Sequence, residues 1–219
     1  MAEDRNKPAK PLSRRTFIKR VGASAAAATV AGLYYPAGAI ADGGNTPPNQ
    51  AEAGIGERLG PEAVAIELKV NGVIRRASVE PRVTLLEFLR DRVGLCGTKL
   101  VCDRGACGAC TVHLDGNPVN ACMMLASDAR GHEITTIEGI GTAKRMHPVQ
   151  VAFVEFDALQ CGFCTPGMIM AIVAAIARKP DLGIADVKQA VAGNICRCGT
   201  YPHVFAAAIA AAKRSESRS

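Results

Sequence analysis

The chain has 219 residues, 48% of them hydrophobic and 4% aromatic, which is enough apolar material for one large or two small domains. Its formal charge of +6 is concentrated before residue 42, where seven Lys or Arg accompany only two acidic residues, so the remainder is close to neutral. This distribution argues against a basic surface for nucleic acid or acidic lipid on the rest of the chain.

The N-terminal segment has the pattern of an export signal. Arg14 and Arg15 precede an apolar pair and a lysine, and an uncharged stretch then runs from Val21 to Ala41. This pattern is typical of the twin-arginine (Tat) pathway, and small residues near the end of the stretch suit a cleavage site. We therefore predict that residues 1–41 are a Tat signal peptide and that the mature protein is periplasmic. An uncleaved anchor is the alternative, because the stretch is long enough to span a bilayer, but its Ala and Gly content is only weakly hydrophobic, so we expect no stable anchor.

A linker and a β-hairpin are predicted next. Residues 42–61 consist largely of Gly, Pro, Asn and Glu with few apolar residues, which predicts a flexible linker. From Ala63 to Val70 apolar and polar residues alternate, Asn71-Gly72 supplies a two-residue turn, and Val73 to Val79 returns. This arrangement predicts two antiparallel strands.

A short helix and further strands complete the first predicted domain. Thr84 suits a helix N-cap with Glu87 as its capping-box partner, and the apolar spacing continues to Val93 before Gly94 ends the helix. The later strands are predicted at Thr111–Leu114, in the segment leading to Cys122, and at Glu133–Ile137. We assign residues 62–138 to this compact α+β domain.

The loop between that helix and those strands carries the first cysteine motif. Its sequence, GTKLVCDRGACGACTV, contains a C-x4-C-x2-C array, and a fourth cysteine follows after a short hairpin. This spacing is the plant-type pattern for a [2Fe-2S] cluster, and the loop glycines allow the backbone N–H groups to approach the sulfurs. A zinc site or a disulfide-linked cage is the alternative. The four cysteines are Cys102, Cys107, Cys110 and Cys122.

The second half of the chain has helical periodicity. Short connections between the predicted helices favour antiparallel neighbours, and we therefore predict a small four-helix bundle over residues 139–213, followed by a solvated tail, 214–219. The predicted helices are Pro148–Ala158, Pro166–Arg178, Ile184–Ala192 and Pro202–Lys213.

Two loops of this bundle carry the second set of cysteines. Four thiolates from two loops can converge only if both loops lie at the same end of the bundle, and a helix beginning after Cys164 would favour an anionic group there. A zinc site remains open, whereas a thioredoxin-type dithiol leaves two of the cysteines unexplained and lacks a βαβ setting. The cysteines are Cys161, Cys164, Cys196 and Cys198.

Three segments together resemble a known family. GTKLVCDRGACGACTV, CGFCTPG and NICRCGTY are similar to motifs in the small iron–sulfur subunits of the molybdenum hydroxylase (xanthine oxidase) family, and the resemblance covers about Glu62 to Lys213. It implies a β-grasp ferredoxin-like domain that holds one [2Fe-2S] cluster through the first four cysteines. It also implies an all-α four-helix-bundle domain that holds another through the second four.

The resemblance also implies partners and a function. In that family the helical-domain cluster lies next to the molybdopterin of a large subunit, and electrons pass on to FAD in a medium subunit. Gln160 and Cys198 match positions that approach the pterin. Given the leader, the resemblance is to periplasmic aldehyde oxidoreductases. Related isoquinoline, nicotinate, xanthine or carbon monoxide enzymes, a stand-alone two-cluster carrier and a zinc-stabilised interaction module are the alternatives. No catalytic residue is predicted in this chain.

The remaining candidate residues receive structural interpretations. Cys96, a ninth cysteine, is expected to be a small buried residue of the loop, and Phe163 is expected to shield sulfur from water. The histidines show no ligand spacing and are predicted at ordinary surface or core positions. They are His113, His132, His147 and His203.

Overall fold

The computed structural model describes residues 60–216 and, before them, Arg15. The predicted signal peptide and nearly all of the predicted linker therefore lie outside the described residues. The predicted hairpin is confirmed as β1 (Val64–Val70) and β2 (Val73–Val79), which pair antiparallel. Both turn residues have positive φ, 51° at Asn71 and 76° at Gly72, as a two-residue hairpin turn with right-handed twist requires.

The helix that follows begins with the predicted capping box. The backbone N–H of Glu87 donates to the Thr84 hydroxyl at 3.2 Å, and the Glu87 carboxylate accepts from the Thr84 N–H at 2.8 Å. Only α1 (Leu85–Glu87) is α-helical, however, and the next five residues, Phe88–Arg92, form a π-helix. The expected continuous α-helix is therefore wrong in its hydrogen bonding, because Val93 donates to the carbonyl of Phe88, five residues earlier.

Three short strands complete a five-stranded mixed sheet. They are β3 (Thr111–Leu114), β4 (Asn117–Asn120) and β5 (Glu133–Thr135), and the strand order is β2-β1-β5-β3-β4. Strand β5 runs parallel to β1 and antiparallel to β3. The last strand ends two residues earlier than predicted, since the Thr136 N–H donates to the Asn71 side chain instead of to a neighbouring strand.

The second half contains the four predicted helices. They are α2 (Pro148–Glu155), α3 (Thr165–Arg178), α4 (Ile184–Ala190) and α5 (Tyr201–Glu216). Helix α5 extends into the predicted solvated tail, where Arg214 pairs with Glu155 on α2. Within the described part of the chain, no helix has the length and apolar composition to cross a membrane.

Each half has its own hydrophobic core. The sheet and α1 enclose a cluster that includes Leu68, Phe88 and Ile134, all with no exposed surface. The helices enclose a second cluster that includes Phe153 and Ile172, also with no exposed surface. The fold is therefore α+β, with a sheet-and-helix core followed by an all-helical core.

The two halves meet along a seam of small residues and buried polar contacts. A Cβ placed on Gly167 of α3 would lie 2.2 Å from the Gly108 carbonyl oxygen, so the two backbones touch where these glycines oppose each other. Beside them the Asn194 side chain, 5% exposed, donates to the same Gly108 carbonyl at 2.9 Å. His113 on β3 lies across the seam from α3, with Nε2 2.8 Å from the Met170 carbonyl.

The seam histidine predicts a pH dependence of stability. Burial lowers the pKa of His113 below its usual 6.5, and Nε2 carries the proton of the neutral ring because it faces a carbonyl. The unfolded chain therefore binds a proton near pH 6.5 that the folded chain does not bind until lower pH. The free energy of unfolding should fall as pH drops through 6.5, by at most about 1.4 kcal/mol for each pH unit.

Urea unfolding between pH 7.5 and 5.5 measures this effect against His113→Gln, whose amide keeps a donor to the Met170 carbonyl but does not titrate. The difference between the two proteins should grow as the pH falls. His147, whose pKa burial also lowers, is present in both proteins and cancels in the difference. Parallel curves would show that His113 contributes no pH dependence.

Candidate metal centres

The first four cysteines come together at the edge of the sheet and form the ferredoxin-type site. Cys102 and Cys107 lie in the loop after the π-helix, and their thiols hydrogen-bond to each other. Cys110 directly precedes β3, Cys122 lies in a 3-10 turn (Ala121–Met123) after β4, and their thiols are likewise in contact. One pair, Cys102 and Cys107, therefore lies in the loop before β3. The other pair, Cys110 and Cys122, lies beside the hydrophobic core at the ends of β3 and β4.

Backbone N–H groups lower the pKa of these thiols, and burial raises it. The backbone N–H of Arg104 and the neighbouring Cys107 lower the pKa of Cys102 to about 7, so the thiolate is favoured in the exposed part of the loop. Burial raises the pKa of Cys110 to about 12. A metal that binds Cys110 must therefore displace the thiol proton.

Glycine geometry lets the loop backbone approach the sulfur. The Gly105 N–H donates to Cys122 Sγ at 3.3 Å, and Gly105 has a φ of +70°. A Cβ at that position would also come within 2.9 Å of Met123. The loop thus presents a main-chain donor to a ligand sulfur at a place where other residues are strained, as the sequence predicted for a sulfur-binding loop.

The second four cysteines converge from two loops at one end of the helical half and form the helical site. The Cys161 and Cys198 thiols hydrogen-bond to each other, and so do those of Cys164 and Cys196. Cys164 is the N-cap of α3, so its sulfur lies at the positive end of that helix, as predicted. Burial raises the pKa of Cys164 to about 12, whereas the Phe163 N–H lowers the pKa of the exposed Cys161.

Residues after the last cysteine hold this site in place. The Cys196 N–H donates to the Tyr201 hydroxyl at 2.9 Å, and that hydroxyl donates to the Asn194 carbonyl at 3.0 Å. The Thr200 hydroxyl lies 3.2 Å from Cys196 Sγ. Thr200, just before α5, therefore contacts the sulfur of Cys196, and Tyr201, the first residue of α5, contacts its backbone.

The pairwise arrangement fits a two-iron cluster. Each site contains two thiol pairs, and a [2Fe-2S] cluster binds two thiolates at each of its two irons. The residues present therefore suit one [2Fe-2S] cluster per site.

The two sites are neighbours across the seam. The Ile195 N–H, next to Cys196, donates to the Cys107 carbonyl at 2.9 Å. One main-chain hydrogen bond thus connects a candidate ligand of the first site with the residue before a candidate ligand of the second.

The other predicted residues have mixed outcomes. Gln160 and Cys198 are both exposed at the helical site, and their contact with a pterin stays a prediction. The expected burial of Cys96 is wrong: its side chain is exposed while its carbonyl accepts from Arg90 and Lys99 at 3.1 and 2.8 Å, so the backbone is held and the sulfur points outward. Phe163 is 56% exposed, and the expected shielding of sulfur by its ring stays a prediction.

Three contributors to the sites were missed by the sequence reasoning. Asn194, Thr200 and Tyr201 carry no ligand spacing, and only their position within a few residues of Cys196 hinted at a role. Thr200 and Tyr201 contact residues of their own loop, and Asn194 contacts Gly108 across the seam, so none of these contacts follows from ligand spacing.

Both halves match models of iron–sulfur families. Residues 68–134 match the 2Fe-2S iron-sulfur cluster binding domain, and residues 136–209 match the [2Fe-2S] binding domain. These two matches cover the cysteine sites of the sheet half and the helical half, respectively.

The chain is also similar to individual proteins. The chain is 40% identical over 211 residues to the aldehyde oxidoreductase iron-sulfur-binding subunit PaoA of Escherichia coli O157:H7, covering 90% of this chain and 86% of that one. It is 40% identical over 151 residues to the nicotinate dehydrogenase small FeS subunit of Eubacterium barkeri, covering 69% and 96%. Among solved structures, quinoline 2-oxidoreductase from Pseudomonas putida 86 matches with a TM-score of 0.68 and 37% identity, over 71% of this chain and 98% of that chain.

Proposed function

The chain belongs to the small iron–sulfur subunits of the xanthine oxidase family, and we propose that it is the electron-transfer subunit of a molybdenum-dependent aldehyde oxidoreductase. Oxidation of an aldehyde by water to a carboxylic acid releases two protons and two electrons. The electrons would pass from the molybdopterin centre of a large subunit, through the two [2Fe-2S] sites of this chain, to FAD in a medium subunit. The chain supplies no substrate pocket in this proposal.

The observation that carries this proposal is the contact between the two cysteine sites. The Ile195 N–H and the Cys107 carbonyl are hydrogen-bonded, and the seam around them is closed by backbone and by the buried Asn194 side chain. Two [2Fe-2S] clusters bound by these cysteines would be connected through main chain, and each would accept one electron without movement of the protein.

Exposed apolar side chains at both sites support docking to other subunits. Exposed apolar groups concentrated in one region are typical of interfaces. At the ferredoxin-type site Val101 is 54% and Met123 65% exposed, and at the helical site Phe163 and Ile195 are each 56% exposed. A stand-alone carrier would be expected to surround its cysteines with polar residues, so these side chains favour the subunit over the carrier.

The exposure of particular ligands supports an orientation. Cys161 and Cys198 of the helical site are exposed, whereas the four cysteines of the ferredoxin-type site are half-buried or buried. We therefore propose that the large molybdenum-binding subunit covers the helical site, with Gln160 and Cys198 towards the pterin. The medium FAD-binding subunit would receive electrons on the side of the ferredoxin-type loop.

We propose an aldehyde as the substrate class because the similarity to an aldehyde oxidoreductase subunit extends over most of this chain. The match to the aldehyde oxidoreductase subunit covers nine tenths of this chain and must include part of the segment before Gly60, whereas the match to the nicotinate dehydrogenase subunit can be accommodated after it. The substrate itself would meet only the large subunit. A nicotinate, quinoline or xanthine type of assembly is the second candidate.

Export through the Tat pathway is part of this proposal, and it predicts a clear localisation result. Replacing the pair with lysines (Arg14→Lys, Arg15→Lys) keeps the charge but removes the recognised motif. Expressed with its partners, the wild-type chain should be recovered from the periplasm and the double variant from the cytoplasm, with the same iron content. Periplasmic recovery of both proteins would contradict Tat export.

Metal analysis and substrate reduction test the function. The purified assembly should contain about four iron and four acid-labile sulfide per small subunit, with no stoichiometric zinc. Anaerobic addition of an aldehyde should bleach the visible absorption of the assembly, and the isolated small subunit should not respond. Zinc in place of iron would refute the proposal. Bleaching by nicotinate or xanthine but not by an aldehyde would change the substrate class.

A further inference from the structure

A threonine hydroxyl contacts a ligand sulfur in the helical site. Thr200 Oγ1 lies 3.2 Å from Cys196 Sγ, within hydrogen-bond range for sulfur. Hydrogen bonds to ligand sulfurs are among the features that set the potential of an iron–sulfur cluster. We propose that Thr200 is a positioning residue that raises the reduction potential of the helical-domain cluster by donating a hydrogen bond from its hydroxyl to the Cys196 sulfur. This inference rests on the proposed function, since it requires a cluster at this site.

The direction of the hydrogen bond follows from the ligand state. A cysteine bound to iron is a thiolate without a proton, so between these two atoms only the threonine hydroxyl has a proton to donate. Cys196 is 8% exposed, which leaves little room for water to replace that donor.

The local fold places the hydroxyl at the sulfur. Gly199 has a φ of +77°, which turns the chain back after the cysteine pair, and the Thr200 carbonyl then accepts from the Val204 N–H at 3.0 Å as α5 begins. Tyr201 fixes the backbone of Cys196 from the other side. Thr200 is therefore held between a glycine turn and a helix start, so the contact does not depend on a freely rotating loop.

The hydroxyl stabilises negative charge on the Cys196 sulfur, because a hydrogen bond to an ionised acceptor is stronger than one to a neutral acceptor. Reduction adds one electron to the cluster and increases that charge, so the reduced form gains more from the hydroxyl than the oxidised form.

The ferredoxin-type site offers a comparison within the chain. There the Gly105 N–H donates to Cys122 Sγ at 3.3 Å, and because this donor is main chain, no side-chain substitution removes it. The helical site instead has a donor that a single substitution can delete. The potential of one site can therefore be changed while the other stays as an internal reference.

The test is a redox titration of the complete assembly, followed by electron paramagnetic resonance. Thr200→Val removes the hydroxyl with little change in shape, and Thr200→Ser keeps it. In the valine variant the helical-domain cluster should be harder to reduce, with the ratio of reduced to oxidised cluster at a fixed potential lowered about tenfold, or about 59 mV for one electron. The serine variant should titrate like the wild type. The ferredoxin-type signal, identified with Cys102→Ser, should not move in either variant.

Each other outcome counts against the proposal. Equal potentials in the wild-type and valine proteins, or equal shifts in the valine and serine proteins, overturn the role of the hydroxyl. If the valine variant fails to hold the cluster, Thr200→Ala takes its place. Loss of the cluster in both hydroxyl-free variants but not in the serine variant would assign the hydroxyl to assembly instead of potential. Absence of both paramagnetic signals from the wild-type assembly would instead refute the proposed function.

Discussion

Cys102→Ser is expected to abolish one of the two paramagnetic signals of the reduced protein and to leave the other unchanged. The Cys102 thiol pairs with Cys107 in the ferredoxin-type loop, whereas the second site is built from loops of the helical half with its own hydrophobic core. A serine hydroxyl is much less acidic than a thiol and stays protonated near neutral pH, so it does not supply the soft anionic ligand that a thiolate gives to iron. The iron and labile sulfide contents should fall from about four to about two per chain.

The chain offers matched controls for this experiment. Cys96→Ser changes an exposed cysteine in the same loop that belongs to neither set, so both signals should remain. Cys161→Ser should remove the signal that Cys102→Ser spares. Retention of both signals in the Cys102 variant, or loss of a signal in the Cys96 variant, would show that the ligands of the first site are assigned wrongly.

Gly167→Ala is expected to destabilise the protein and to weaken the magnetic interaction between the two reduced clusters. The new Cβ would lie 2.2 Å from the Gly108 carbonyl oxygen and 3.1 Å from the Ala109 Cα, and both are backbone atoms that cannot rotate away. Alanine would favour the helix by about 1 kcal/mol, but overpacking of a closed contact costs about 1–3 kcal/mol, and two opposed backbones put it at the upper end. We expect a net loss of about 2 kcal/mol, because the seam must open.

Gly193→Ala is the control for that prediction. Gly193 lies on the same seam beside Asn194, but a Cβ there would meet no atom within 4 Å. Its free energy of unfolding, measured with urea, and its cluster–cluster interaction, measured by electron paramagnetic resonance, should stay close to those of the wild type. If both alanine variants behave alike, the seam does not depend on the contact between Gly108 and Gly167.

Local chemistry made much of the fold predictable. The turn at Asn71-Gly72 and the capping box of Thr84 and Glu87 depend on residues adjacent in sequence, and the structure shows both. The convergence of each cysteine set was also predictable, because spacing and short connections limit where the loops can lie. The π-helix at Phe88–Arg92 was not, since no residue type in it marks a change of hydrogen-bond register.

What the sequence did not reveal depends on how the two halves dock. Gly167 and Asn194 have no local partner that explains them, and their contacts with Gly108 span 59 and 86 residues of sequence. His113 likewise meets a helix carbonyl 57 residues away. Cys96 was misjudged for a different, local reason: the Arg90 and Lys99 side chains donate to its carbonyl, and the side chain of Cys96 is exposed.

The unequal exposure of the cysteines has a practical consequence for handling the protein in air. The helical site has two exposed cysteines, Cys161 and Cys198, whereas all four cysteines of the ferredoxin-type site are half-buried or buried, so we expect molecular oxygen and peroxide to attack the helical site first. A separated small subunit should therefore fade in two stages, with the colour of the helical site lost first. A preparation that retains half of its brown colour would then record damage during purification, and its single remaining chromophore would belong to the ferredoxin-type loop.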